Sequence, residues 1–492
     1  MQSDKKRVIS NSLYYTLSNI LLKVFSFLLI PLYTSFLTPD QYGIVNLSFG
    51  FSAFVSCLLM FGLQYAVVRF YADTKENQEG TKKLFSSVIN FLLLSSTLVV
   101  LLLLVSESLW DSIIFKNINS IAIVTISILI SGTSGIYFVY QELLRGMQRA
   151  KESILLTYVY FFLMLLSNIL VVVVFRLGAL GILMSSLIVT IIMIGLMFRD
   201  LIHSGFYELK IDWKITKSVL KYSLPLIPHT IAFNVSNLYT KIIINSKMTT
   251  SMLGLFSLAS QFGMVADQVS NSVQSAFQPW LYQKLKAINE GENKEIESIR
   301  TLTSQLLWVF GAIYILIGAW AQQAIDIMTA PPYHSAWGYV PLIVMSVAIK
   351  SPLYFYQNFM YYYKDRSRYI FVCTLAGCTL SMILIWFLVP VIGIYGAIIA
   401  DIIALVFRLF LTKWLLRRTN TIYSFTNVIA ITLISILWLS ITVIPSYLGV
   451  FESPLLDYGY KTLLIIAYLS LIFWIYRAQA VMAVRNLFRK FA

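Results

Sequence analysis

Charged and amide side chains set inside long apolar runs are the residues of this chain that could do chemistry. Ser12, Thr16, Asn19 and Lys23 recur at i, i+4, i+7 and i+11, which is one face of a helix. Thr230, Asn234, Asn237 and Lys241 repeat that spacing 218 residues later. Each stripe is polar and each ends in a lysine. Further on, Asp267, Gln268, Asn271, Gln274, Ser275 and Gln278 share a broad face, Lys350, Tyr354, Gln357 and Tyr361 share another, and Asp401 and Arg408 stand two turns apart. A charge inside a bilayer costs about 2.5–3.5 kcal/mol on insertion scales, so such residues usually face a cavity. Lys23, Lys241, Lys350 and Arg408 are the groups that would meet an anion such as a diphosphate. Asn19, Asn237 and Gln357 would hydrogen-bond a solute with many hydroxyls. Asp267 and Asp401 could titrate as coupling-ion sites, and Asp267 could equally pair with a lysine. Any single Asn or Ser is explained as well by helix–helix glue, and a lysine near a helix end by snorkelling. The duplicated stripe, taken whole, points to a water-filled cationic cavity between two halves of the chain.

The elements that must position these residues are membrane-spanning helices. Hydrophobic residues make up 58% of the 492 residues, charged residues only 12%, and mean hydropathy is +0.77. Soluble chains carry about 25% charged residues, so an aqueous fold could not cover this surface. Apolar runs long enough to cross a bilayer lie near 9–30, 42–68, 84–106, 119–141, 153–175, 179–198, 219–244, 252–282, 301–322, 336–362, 369–390, 393–415, 424–447 and 459–476. None alternates with period two, which excludes barrel strands. Lys and Arg cluster in every second loop, about 29 on one side against about four on the other. That bias predicts fourteen spans with both termini cytoplasmic, and it accounts for the net charge of +15 without nucleic acid. The basic loops would lie against anionic lipid headgroups.

Several function classes drop out. There is no phosphate-binding glycine loop with its lysine, no G-x-S-x-G and no H-E-x-x-H, and only three histidines, His203, His229 and His334. No enzyme activity, cofactor or metal is expected. Cys57, Cys373 and Cys378 have no metal spacing and read as small buried residues. Lys5-Lys6-Arg7 before an apolar run mimics a signal peptide, but the run is too long and lacks a cleavage site, so it reads as an uncleaved first span. A membrane glycosyltransferase or polymerase would need an outward loop rich in acids, Arg or His, and the loops near 107–120, 323–337 and 445–458 are poor in them. Pro225 and Pro228 should break the seventh span at its cytoplasmic end, while Pro31 and Pro39 read as terminators of structure.

The chain also repeats itself. Ser18-Asn19 followed by Lys23-Val24 matches Ser236-Asn237 followed by Lys241-Ile242; Tyr42-Gly43-Ile44 matches Leu253-Gly254-Leu255 at an offset of 211; Gly178 and Gly181 match Gly393 and Gly396. In order, these argue for two six-helix lobes, 1–212 and 213–418, related by an axis along the membrane normal. Two further helices and a basic cytoplasmic tail fill 419–492.

The opening Ser10-Asn11-Ser12-Leu13-Tyr14, the run from Pro31-Leu32-Tyr33 through Thr38-Pro39-Asp40-Gln41-Tyr42-Gly43, and Arg69-Phe70-Tyr71 resemble the bacterial polysaccharide-biosynthesis flippases of the multidrug/oligosaccharidyl-lipid/polysaccharide exporter superfamily. The resemblance covers essentially the whole chain, with diffuse motifs. It implies transport by alternating access of an undecaprenyl-diphosphate-linked oligosaccharide, such as an O-antigen or capsule unit, across the bacterial cytoplasmic membrane. A polysaccharide polymerase and a chain-length regulator would be its partners. Family members often carry an Asp-Arg or Asp-Lys pair in the seventh span. Here Thr240-Lys241 keeps the cation without the carboxylate. A peptidoglycan-precursor lipid flippase and a cation-coupled multidrug exporter share the same expected fold.

Overall fold

A computed structural model describes residues 27–491 apart from 119, 293 and 418–425. Among the described residues the only regular elements are helices, as a chain with this hydropathy requires: in lipid, each backbone N–H and C=O must be satisfied within its own segment. Eleven helices are long and apolar enough to cross a membrane, which makes the protein a multi-pass membrane protein. The fourteen expected spans count three more segments. One is the run before Phe27, which lies mostly outside the described residues. The other two are Ile227–Lys247 and Thr250–Asn289, both long helices that carry the polar stripes.

The described residues fall into two compact units. The first runs to Ser257 and takes in Thr329–Tyr333 and Thr374–Ala400; the second holds Leu258–Met328, His334–Cys373 and the chain from Asp401. The first unit is built from α1 (Ile30–Phe36), α2 (Pro39–Leu59), α3 (Leu63–Thr74), α4 (Gln78–Val105), α5 (Glu107–Ile113), α6 (Ile121–Gly146), α7 (Ala150–Ile169), α8 (Gly178–His203), α9 (Trp213–Ser223) and α10 (Ile227–Lys247), and by the start of α11 (Thr250–Asn289). The expectation that Pro31 and Pro39 end structure is corrected. Each sits in the first turn of a helix, α1 and α2, where a missing N–H is no loss. Thr38 caps α2 through a reciprocal pair with Gln41, backbone N–H to side-chain oxygen each way at 3.3 Å. Phe61 and Gly62, both at positive φ, turn the chain from α2 into α3. Pro225 interrupts the path from α9 to α10 as a 3-10 turn, Leu224–Leu226.

Side-chain hydroxyls join α2 to α6. Ser52 donates to the Ser127 carbonyl at 2.8 Å, and Ser56 to that of Ser131 at 2.5 Å. Beneath them lies a core of Leu47, Phe51, Val55, Val124, Ile128 and Leu183. The segment between α8 and α9 is stapled to α4. Ser86 and Ser87 accept from the N–H groups of Glu208 and Asp212, and the Asn90 amide donates to the carbonyls of Glu208 and Lys210. From there α9 lays Thr216, Val219 and Ser223 inward and turns Lys214, Lys217 and Lys221 out.

The second unit contains the rest of α11, α12 (Glu295–Ala319), α13 (Ala321–Met328), α14 (Val340–Tyr362), the beginning of α15 (Lys364–Ile392), most of α16 (Ile394–Arg417), α17 (Thr426–Tyr447) and α18 (Pro454–Phe491). Helices α17 and α18 pack on α12 at Gly311, where a Cβ would overlap the hydroxyls of Ser435 and Tyr468. Near the start of α18, Lys461 is 1% exposed and pairs with Asp457 at 2.7 Å, while Ser446 and Gln323 donate to the same carboxylate at 2.7 and 3.1 Å. Removing one partner of a buried pair strands the other charge, at a cost of about 3–5 kcal/mol. Lys461→Met is therefore expected to lower the melting temperature of the detergent-purified protein markedly. Adding Asp457→Asn should recover part of the loss.

Candidate functional site

Lys241 lies in the last third of α10, in the first unit. Its side chain runs along Gly50 of α2, with Cδ 3.0 Å and Nζ 3.2 Å from where a Gly50 Cβ would stand. Its ammonium donates to the Asn46 carbonyl at 3.0 Å. Among the described residues no carboxylate pairs with it. An ammonium has three donors and full charge, and a neutral carbonyl compensates little of that charge. Thr240, where the resemblance expects an acid, turns its hydroxyl back to the Ser236 carbonyl at 2.9 Å. Asn234 likewise bonds back to the Thr230 carbonyl, and Asn237 is exposed with no hydrogen bond to a described residue. Lys23 and Asn19, the matching residues of the first stripe, lie outside the described residues.

The second unit holds a different arrangement. Asp267 of α11 accepts from Lys350 at 2.9 Å, from Tyr354 at 2.8 Å and from Asn271 at 3.2 Å. One turn further, Asn358 donates to Gln274 at 2.9 Å. Residues 350, 354 and 358 of α14 thus form one polar row against 267, 271 and 274 of α11. Beside it, the Tyr314 hydroxyl sits between those of Ser270 and Ser351. Asp401 of α16 is within reach of the Ser346 hydroxyl and in the electrostatic field of Lys350 and Arg408, and it keeps exposed surface. Arg408 is buried. Gln357 is half-buried and takes no part in the row. Sequence spacing had singled out Gln357; Asn358, one residue on, is the group that bonds across, and the i, i+4, i+8 count from Lys350 is the signal that marks it.

The two lysines therefore differ in kind. Lys350 is neutralised by Asp267, which Tyr354 and Asn271 also hold in place. Lys241 meets, among the described residues, a carbonyl alone. Among the described residues no cluster of His, Cys, Asp and Glu could hold a metal ion.

A family model described as polysaccharide biosynthesis protein matches residues 8–284, more than half of the chain. The chain belongs to the polysaccharide biosynthesis protein family. No curated protein matches it by sequence. Among solved structures, the chain is similar to lipid II flippase MurJ in an inward closed conformation, at TM-score 0.70 and 15% identity over 96% of this chain and 100% of that one. It is also similar to a multidrug resistance MATE family transporter of the MOP superfamily. The inward-facing form gives TM-score 0.61 at 14% identity, over 83% of this chain and 96% of that one. The outward-facing form gives 0.57 at 14%, over 86% and 97%. At such identities the likeness is one of fold. This member of the family therefore has the fold expected from its sequence, and Lys241 and the Asp267 row are features of its own chain.

The contrast between the lysines has a measurable consequence. Lys350→Met strands a part-buried Asp267, which keeps Tyr354 and Asn271 as donors, and is expected to cost about 1–3 kcal/mol. Lys241→Met removes a charge with no opposite partner among the described residues and is expected to change stability by no more than about 1 kcal/mol. Melting curves of the two purified variants should show a lowered transition for the first and a nearly unchanged one for the second.

Proposed function

We propose that this protein is a flippase. It would carry undecaprenyl-diphosphate-linked oligosaccharide units, of the O-antigen or capsule type, from the cytoplasmic to the outer face of a bacterial cytoplasmic membrane by alternating access. The observation that carries the reading is Lys241. An ammonium kept inside a membrane domain with no carboxylate partner among the described residues is costly to the fold, and an anionic substrate would supply the missing charge. Lys23 completes the reading as the equivalent residue of the repeat. Lys350 and Arg408 would join them once Asp267 gives up its partner, and Asp267 and Asp401 are the proposed coupling-ion residues. Asn237, Asn19 and Gln357 would serve sugar hydroxyls. The family's description favours a polysaccharide substrate. The proposed topology has fourteen spans, both termini in the cytoplasm, lobes at 1–212 and 213–418 and two added helices. The cell's polymerase and chain-length regulator would take up the delivered units.

A peptidoglycan-precursor flippase would use the same cationic logic. A cation-coupled multidrug exporter would want an acidic aromatic cavity, which an unpaired lysine disfavours. Deletion of the gene in its host, followed by complementation, distinguishes the three. Loss of one surface polysaccharide with lipid-linked units accumulating inside supports the proposal. Loss of viability points to the peptidoglycan precursor, and sensitivity to cationic drugs with normal surface glycans points to the exporter. In the complemented strain, Lys23→Glu and Lys241→Glu are each expected to abolish export at normal membrane levels, while Lys241→Arg should retain it. Normal export by both charge-reversed variants would sink the assignment.

A further inference from the structure

On α2, Pro39, Gly43, Asn46 and Gly50 fall at i, i+4, i+7 and i+11, on one helix face. Opposite them in the first unit stand the start of α11 and the last turns of α10. Gly43 and Gly254, the two glycines that sequence repetition makes equivalent, lie against each other. A Cβ at Gly43 would overlap the Thr250 carbonyl and stand 3.0 Å from the Gly254 nitrogen. One at Gly254 would overlap the Pro39 carbonyl and stand 3.2 Å from the Gly43 nitrogen. Backbone touches backbone here, with only weak Cα–H to carbonyl contacts available to hold it. Two turns along the same face, the Lys241 side chain lies on Gly50 with its ammonium on the Asn46 carbonyl. In the proposed topology this seam is at the outward end of the unit.

We propose that Lys241 is a ligand-operated latch on this seam: it holds α10 to α2 in the empty protein and lets go when an anionic diphosphate takes its ammonium. The inference rests on the flippase reading for the identity of the anion. Its chemistry is a competition between acceptors. The Asn46 carbonyl is neutral and already accepts within α2, whereas a phosphate oxygen is charged and makes a bond to an ammonium roughly twice as strong. Beside the seam, α10 is also tied to the loop at 116–117 and to α11 by neutral groups only, and a diphosphate gains nothing by competing for these. Asn245 donates to the Lys116 carbonyl at 2.6 Å and accepts from Thr250 at 2.9 Å, while Asn117 donates to the Asn245 carbonyl at 2.9 Å. Lys241 is thus the one group of the described seam that a diphosphate can capture; what remains between the helices is apolar packing, Leu47 and Phe51 of α2 sharing a core with Ile243, Ile244 and Leu253, and the close glycine contact.

The test uses the full-length protein in detergent with its three cysteines replaced and a reporter cysteine at Thr250, which is 4% exposed. Leu253→Cys, at a fully buried position one turn further along α11, serves as a second reporter. A hydrophilic maleimide measures opening, and inorganic pyrophosphate is the probe, with sulfate at matched ionic strength as control. Slow labelling that pyrophosphate accelerates several-fold is expected. Lys241→Met should label fast without the probe and ignore it, and Lys241→Arg should behave as wild type. Gly43→Ala wedges the seam without touching the lysine, so it should label fast while pyrophosphate still shifts its melting temperature. Lys241→Met labelling at the wild-type rate, in folded protein, overturns the latch. Fast labelling of Lys241→Met with no pyrophosphate response in wild type overturns ligand operation and the diphosphate reading together, and leaves the lysine as a fixed brace.

Discussion

Inside a hydrocarbon layer no water stands ready to receive a stray polar group, and every hydrogen bond in this molecule is arranged under that constraint. Backbone groups meet it by being helical throughout the described residues. Hydroxyls meet it by turning back on their own helix or by crossing to the next one, as Ser52 and Ser56 do. Carboxylates meet it most strictly. Asp267 has three donors around it, and Asp457 has Lys461, Ser446 and Gln323. Against that background the sparse company of Lys241 is information. A fold that surrounds Asp267 and Asp457 so fully would gain by satisfying this base as well, and keeping the charge open is the kind of stability cost that function imposes.

Helix α2 shows how one segment can serve two purposes on two faces. Towards α6 it offers serines, whose bonds to carbonyls give a contact of fixed register. Towards α10 and α11 it offers glycines, whose lack of side chain gives close approach with little to hold on by. Both faces bring backbones together, but the first is joined by side-chain hydrogen bonds and the second by apolar packing and the one lysine bond. The difference arises from side-chain chemistry and needs no difference in helix geometry.

Much of this was legible in the sequence. Long apolar runs give the helices, because a segment that must enter lipid has only one way to satisfy its backbone. The family and its fold followed from the motif around Thr38-Pro39-Asp40-Gln41-Tyr42-Gly43. Lys241 and the row of α14 stood out because charge in such runs is expensive. Partners were harder to read. That Lys350 meets Asp267 while Lys241 meets a carbonyl depends on which helices are neighbours, and spacing along one helix carries no trace of that. Asn358 was missed for Gln357 because a face defined by i+3, i+4 and i+7 is broad, and the rotation that selects one edge of it comes from packing. Pro31 and Pro39 were misread because a proline's missing N–H is tolerated at a helix's first turn as readily as it ends the helix before it.

The stapled segment between α8 and α9 changes the mechanics of the chain. A connection of this length would ordinarily supply slack, so that the later helices could swing while the earlier ones stayed still. Here Ser86, Ser87 and Asn90 remove that freedom, and Tyr207 adds a further bond to Asn90 at 2.6 Å. Helix α4 and helix α9 therefore travel as a single lever, and the first free joint along the chain falls later, at the 3-10 turn around Pro225. Any torque that α9 feels through its outward lysines and Trp213 passes by way of α4 into the interior of the unit.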